Sequence, residues 1–291
     1  MTQSLINTGG CVLGAVDASA YAQSVSSLGG WAARRIGAPL ELLHTLDRTS
    51  GSGTADLSGS LSLGASDQLL QELADLDARR AKLAQAHGRT LLEQLRAQVL
   101  ERHGVQADVR QRHGELVETL LDLEPRVRLF VIGQRGEHAE GAFGHLGGNL
   151  ERVIRAVHRP VLVASKDVLP IQRFLIAYDG SATTRKCIEM VCASPLLRGL
   201  DCNVLMVGAE DAARRQHLDW ALAELQRAGF TAKSNIVEGT ADTVIPRHIE
   251  RSNTDLLVMG AYGHSRIRHL IVGSTTTHVL RSSLIPVLLL R

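Results

Sequence analysis

The chain of 291 residues is long enough for two domains. Apolar residues make up 44% and charged residues 21%, a globular balance that excludes a disordered chain, and 27 glycines with only 7 prolines exclude a collagen-like one. With 32 Lys and Arg against 30 Asp and Glu the net charge is +2, and aromatics are 3%; such a chain offers neither a basic surface for counterion release nor a stacking platform, so no nucleic-acid partner is expected.

Residues 1–10 are polar, with no basic segment leading into an apolar one, so no signal peptide is expected. The first apolar strand, 11–16, runs into Asp17, and the second, 39–45, ends at Thr45. The stretch from Thr49 to Ser66 is rich in Ser and Gly and reads as a mobile loop. After it, Asp67 to Arg102 reads as one long amphipathic helix, with Leu69, Leu70, Leu73 and Leu76 at helical spacing. Strands at 105–111, 127–132 and 160–164 follow. A second series reads 173–178, 201–207, 230–237, 254–259 and 284–290, with intervening helices such as 183–193 and 218–228. The longest apolar runs are strand-sized, well short of the roughly 20 residues of a membrane-spanning helix, and no membrane contact is expected. The four cysteines, Cys11, Cys187, Cys192 and Cys202, show neither a CxxC pair nor metal-ligand spacing with His. They read as small buried hydrophobes in a reducing compartment, which places the protein in the cytoplasm and predicts no metal site.

The chain repeats itself. Val12-Leu-Gly-Ala-Val-Asp17-Ala-Ser19 matches Phe174-Leu-Ile-Ala-Tyr-Asp179-Gly-Ser181 at an offset of 162. Leu129-Phe-Val-Ile-Gly133-Gln-Arg-Gly136 matches Leu257-Val-Met259-Gly260-Ala-Tyr-Gly263 at 127, while Leu146 to Arg155 matches Val272 to Arg281, and Arg159-Pro160-Val-Leu-Val163 matches Ile285-Pro286-Val-Leu-Leu289, both at 126. The drop in offset leaves about 35 extra residues in the first copy, within an insertion at about 48–102. The expected domains are therefore 1–168, carrying that insertion, and 169–291. Short apolar strands alternating with helices imply an α/β fold: two tandem doubly wound five-stranded parallel sheets of strand order 3-2-1-4-5, with helices on both faces. In that order the last strand of each half is an exposed apolar edge. The two edges can pair within one chain, and a homodimer can add a further level.

The repeated polar and glycine positions fall at the carboxyl ends of strands, where such sheets bind ligands. Asp179 ends the first strand of the second half and can accept from a ribose hydroxyl or chelate through Mg²⁺. Gly260 and Gly263 follow the fourth strand, and Gly273 precedes a helix whose first turn carries Ser274, Thr275 and Thr276. Glycines leave backbone N–H groups uncovered, and a helix amino terminus adds the positive end of its dipole, an arrangement suited to a polyphosphate. Tight strand-to-helix turns would need the same glycines, but not the hydroxyls.

Gly260-x2-Gly263-x9-Gly273-Ser274 resembles the G-2x-G-9x-G-(S/T) signature of the universal stress protein family. The leading Asp179, the strand count and the terminal Ile-Pro-Val-Leu strand fit the same family, as two tandem copies over nearly the whole chain. The resemblance implies an ATP site in which Ala177, Tyr178 and Asp179 hold the adenosine and Val207 meets the adenine. Met259, Gly260, Gly263, Gly273, Ser274, Thr275 and Thr276 would take the ribose and phosphates. The first half departs from the pattern. Gly133-x2-Gly136 is intact, but ten residues separate Gly136 from Gly147, and Gly148 followed by Asn149 stands where the hydroxyl belongs. Glu137 and Glu140 add negative charge that opposes a triphosphate. A first-half site would be completed by Asp17, Thr45 and Ile132.

His264, His269 and His278, with Arg266 and Arg268, cluster around the second motif, either as cations over the phosphates or as a solvated loop. No nucleophile–base pair stands at a plausible strand end, so no catalytic residue is expected and any ATP hydrolysis should be slow. Three readings follow. The first is a stress-response regulatory module binding adenine nucleotide in its second half. The second is a nucleotide-independent interaction protein acting through surfaces and dimerisation. The third is an adenylate-forming or phosphoryl-transfer enzyme, disfavoured by the absence of a phosphate-binding Lys.

Overall fold

The apolar stretches assemble into one sheet. The computed structural model describes residues 6–46, 63–137, 147–167, 170–261 and 274–291, with the backbone alone for 63–70, 274 and 275. The strands of the first half are β1 (Cys11–Ala15), β2 (Leu40–Leu46), β3 (Ala107–His113), β4 (Val127–Gly133) and β5 (Val161–Ala164). Those of the second are β6 (Arg173–Ala177), β7 (Asp201–Val207), β8 (Ala232–Val237), β9 (Leu256–Gly260) and β10 (Val287–Leu290). The helices are α1 (Ala22–Ile36), α2 (Leu63–His103), α3 (Leu116–Leu123), α4 (Gly148–Ala156), α5 (Ala182–Ala193), α6 (Ala212–Arg227), α7 (Ala241–Ser252) and α8 (Ser274–Ser282). No helix among the described residues is long and apolar enough to cross a membrane.

The spatial order is β3-β2-β1-β4-β5-β10-β9-β6-β7-β8, so each half has the expected 3-2-1-4-5 winding. All neighbours pair in parallel except β5 and β10, which run antiparallel with Leu162 opposite Leu288. Central strands such as β1 and β5 are buried throughout because helices cover both faces. The outermost strands, β3 and β8, border water, and there the sequence turns polar, as in Arg110, Arg112 and Lys233. Strand alternation divides the interior into two layers. Val12, Leu129, Phe174, Ile176 and Val204 face α1, α2, α5 and α6; Leu13, Phe130, Leu175, Leu205 and Leu257 face α3, α4, α7 and α8.

Helix α2 starts at Leu63, ahead of the expected Asp67, and its 41 residues extend about 60 Å. Only its last part packs: Leu92, Leu95 and Val99 are buried, whereas Leu73, Leu76 and Leu83 are 45%, 60% and 71% exposed. The Ser/Gly stretch before it lies mostly outside the described residues.

Each half holds the end of a helix belonging to the other. The buried Gln134, just past β4, donates its amide N–H groups to the carbonyls of Leu280 and Ser283 at the end of α8. Arg291, just past β10, donates to the carbonyls of Val157 and Arg155 at the end of α4. These carbonyls have no intrahelical partner, so the contacts satisfy them while tying the halves together. On the other layer Arg35 of α1 donates to the carbonyls of Leu196 and Arg198, in the short turn after α5.

Candidate functional site

At the carboxyl ends of the adjacent strands β7, β6 and β9, three residues share one face. Ala177, Val207 and Met259 all belong to the layer that packs on α7 and α8, together with Val237 and Ala261. Register brings them level: Ala177 pairs with Leu205, two residues before Val207, and Ile176 pairs with Val258, one before Met259. Met259 is buried, while Ala177 and Val207 are half-buried. Thr276, in the first turn of α8, is buried as well. The result is an apolar wall at the strand ends next to a helix amino terminus.

Asp179 stands just beyond β6 and is exposed. Its Oδ1 accepts from the Ser181 N–H at 2.9 Å and from the Thr184 hydroxyl at 2.6 Å. Ser181 in turn caps α5 by accepting from the Thr184 N–H. Gly180, between them, has φ +79°, and a Cβ there would lie 2.9 Å from Cγ of His217. The turn therefore demands glycine, both for its backbone and for its closeness to α6. The carboxylate is thus aimed by the turn rather than left to rotate.

Gly260, at the end of β9, packs closely: a Cβ would meet Cγ2 of Thr183 at 3.2 Å. Gly263 and Gly273 lie outside the described residues, as do His264, Arg266, Arg268 and His269. Ser274 and Thr275 are described only as the first backbone positions of α8. His278 is exposed on that helix.

The first half builds the same turn. Asp17 Oδ1 accepts from the Ser19 N–H at 3.1 Å, as Asp179 does from Ser181. Its Oδ2, however, accepts from the backbone N–H of Glu137 at 3.0 Å, and a Cβ on Gly136 would sit 2.8 Å from that oxygen. Its carboxylate is therefore engaged by its own glycine loop. Gly147 comes close to the same loop, its N–H donating to the Gln134 carbonyl and its absent Cβ leaving 3.3 Å to the Arg135 Cα. Gly148 and Asn149 begin α4 exposed, Thr45 and Gly133 are half-buried, and Ile132 is buried in the sheet.

Two features escaped the sequence. Thr184, five residues after Asp179, is a direct partner of that carboxylate; a hydroxyl on the first turn of the next helix was the available signal. Tyr178 turns its side chain to the layer opposite Ala177, where it is buried and stacks on Trp220 at 6.5 Å between ring centroids. Arg185 covers the same indole at 5.0 Å and donates to Nδ1 of His217 at 2.7 Å. Burial pushes the Tyr178 phenol above its ordinary pKa. Only the backbone of Tyr178 borders the Asp179 face.

Comparison with known proteins converges. The universal stress protein family matches residues 11–165 and 203–291. Universal stress protein Slr1230 of Synechocystis sp. is 37% identical over 285 residues, covering 96% of this chain and 99% of that protein. A universal stress protein of Mycolicibacterium smegmatis is 24% identical across 100% of this chain and 99% of its own length. Among solved structures, a universal stress protein from Archaeoglobus fulgidus shares the fold, with a TM-score of 0.70, 21% identity and coverage of 97% of this chain and 98% of that one.

Proposed function

The chain belongs to the universal stress protein family, and from that premise we propose that it is a tandem, cytoplasmic regulatory module that binds one ATP in its second half. In this reading the domains divide at 168/169, and the insertion at about 48–102 belongs to the first. The observation that carries the proposal is the shared face of Ala177, Val207 and Met259 beside the oriented carboxylate of Asp179. The three apolar side chains offer a flat wall for an adenine, and the carboxylate beside them accepts from a ribose hydroxyl. The start of α8, with Ser274, Thr275 and Thr276, follows the motif glycines and provides N–H groups and hydroxyls for phosphates. A single carboxylate makes a poor cage for Mg²⁺, which would arrive with the nucleotide.

The first half serves as a partner in the sheet rather than a second site, because ten residues instead of nine separate Gly136 from Gly147 and Gly148-Asn149 stands where the hydroxyl belongs. With no activated nucleophile or base beside the wall among the described residues, nucleotide acts as a signal read by loops or by the seam between halves, and any hydrolysis is slow. Calorimetric titration with ATP tests this. Wild type should bind about one nucleotide per chain, and Ala177→Phe and Gly263→Val should bind none. Equal binding by the variants overturns the site. Absence of binding in wild type leaves the nucleotide-independent interaction protein, and turnover of order 1 s⁻¹ or faster makes the chain an enzyme.

A further inference from the structure

A cavity of about 260 Å³ lies where the two halves meet, in the layer of α1 and α5 and thus on the opposite face of the sheet from Ala177, Val207 and Met259. It holds roughly nine water volumes, the size of a short-chain organic acid. The first half contributes Arg128, Leu129 and Arg159 to its lining; the second contributes Lys186 and Met190 of α5 and Leu288 of β10. Leu196 and Leu197, from the turn after α5, extend the apolar part.

The side chains around this floor include Arg128, Arg159 and Lys186, and no Asp or Glu side chain among the described residues. The nearby Glu124 accepts from the backbone N–H groups of His158 and Arg159 and lies 3.4 Å from Nδ1 of His158. Among the described residues Arg128 reaches two carbonyls, of Thr8 at 3.4 Å and Ile36 at 3.5 Å, and its partial burial makes its charge harder to hold. Neither Arg159 nor Lys186 makes an ion pair with a described carboxylate. Cations gathered around an apolar floor with no acidic side chain among them repel one another, and an anion placed there relieves that repulsion. Apolar lining with a few convergent charged groups is the make-up of a small-molecule site.

We propose that this cavity binds a small amphipathic organic acid, its carboxylate among Arg128, Arg159 and Lys186 and its short alkyl chain on Leu129, Met190 and Leu288. Since the lining comes from both halves, the ligand bridges them and stabilises their junction.

Octanoate is the probe, with 1-octanol and inorganic phosphate as the separated tail and head, titrated into the full chain by calorimetry and followed by thermal unfolding. Octanoate should bind saturably and raise Tm, with 1-octanol and phosphate each at least tenfold weaker. Lys186→Glu, at an exposed position on α5, should weaken octanoate at least tenfold while leaving ATP affinity and the circular dichroism spectrum unchanged. Met190→Trp, which fills the floor, should abolish octanoate binding. The proposal is overturned by octanol or phosphate binding as tightly as octanoate, by octanoate binding that survives both substitutions, or by the lack of saturable binding. The unchanged ATP affinity separates failure here from failure of the nucleotide site.

Discussion

The hydroxyl of Thr184 donates to Oδ1 of Asp179 at 2.6 Å, and the residue that corresponds to Thr184 in the first repeat, beside Asp17, is Ala22. The second half thus holds its strand-end carboxylate with a side-chain hydroxyl that the first half lacks. Removing that bond in Thr184→Val should weaken ATP about fivefold, the worth of a hydrogen bond of about 1 kcal/mol. Thr184→Ser should keep wild-type affinity in the same calorimetric titration. Equal affinities in all three proteins would show that the carboxylate needs no such restraint.

Gln134 matches Ala261 in the repeat, so its double contact with the end of α8 has no copy from Ala261 to α4. Gln134→Met keeps the volume but leaves the carbonyls of Leu280 and Ser283 without that donor. It should lower unfolding stability by about 1–3 kcal/mol, read as a lower urea midpoint. Arg291→Met, at the half-exposed end of α4, should cost less because water can replace its contacts.

Stability should fall in mild acid. Burial, aided by Arg251, holds His248 below the ordinary value of 6.5, and its Nε2 lies 2.9 Å from the Asn203 amide nitrogen, which donates to it. Burial, with Arg102 and Arg34, does the same to His103, whose Nε2 lies 3.0 Å from the Ser27 hydroxyl. The unfolded chain takes up these protons near pH 6.5 and the folded chain only at lower pH, so stability is full above about 6.5 and declines below it. Urea midpoints at pH 7.5 and 5.5 should differ accordingly, and His248→Gln should shrink the difference. A midpoint independent of pH would contradict the assignment.

The thiols should be inert in the folded chain. Burial pushes Cys187 up to about 12 and Cys192 up to about 11, and raises Cys202 and Cys11 as well. All four are free. Because the thiolate is the reactive form, iodoacetamide at pH 8 should label native protein slowly and label all four sites once urea unfolds it. Rapid native labelling at Cys187 would mean that α5 opens readily.

The scaffold was largely legible in the sequence because it rests on local signals. The strand runs, the paired Asp17 and Asp179, and the Arg159-Pro160 and Ile285-Pro286 segments before the last strands placed each strand within a few residues and predicted the 3-2-1-4-5 order. What stayed hidden depends on facing and distance. Neighbours in a strand point to opposite layers, so Ala177 and Tyr178 entered one expected site together although their side chains part ways. The leucine period of α2 persists whether or not anything covers it, and it could not tell buried Leu95 from exposed Leu76. Arg128 and Lys186 share a cavity only because β5 meets β10; the apolar edge strands let that pairing be expected, but not which side chains it brings together.

That pairing has an evolutionary consequence. In an assembly of two identical subunits every substitution occurs twice, so a change that spoils a pocket spoils both. Here the twofold relation is written into a single polypeptide, and its copies are free to diverge: Thr184 against Ala22, Ala261 against Gln134. One copy can specialise in sensing while the other keeps the sheet complete.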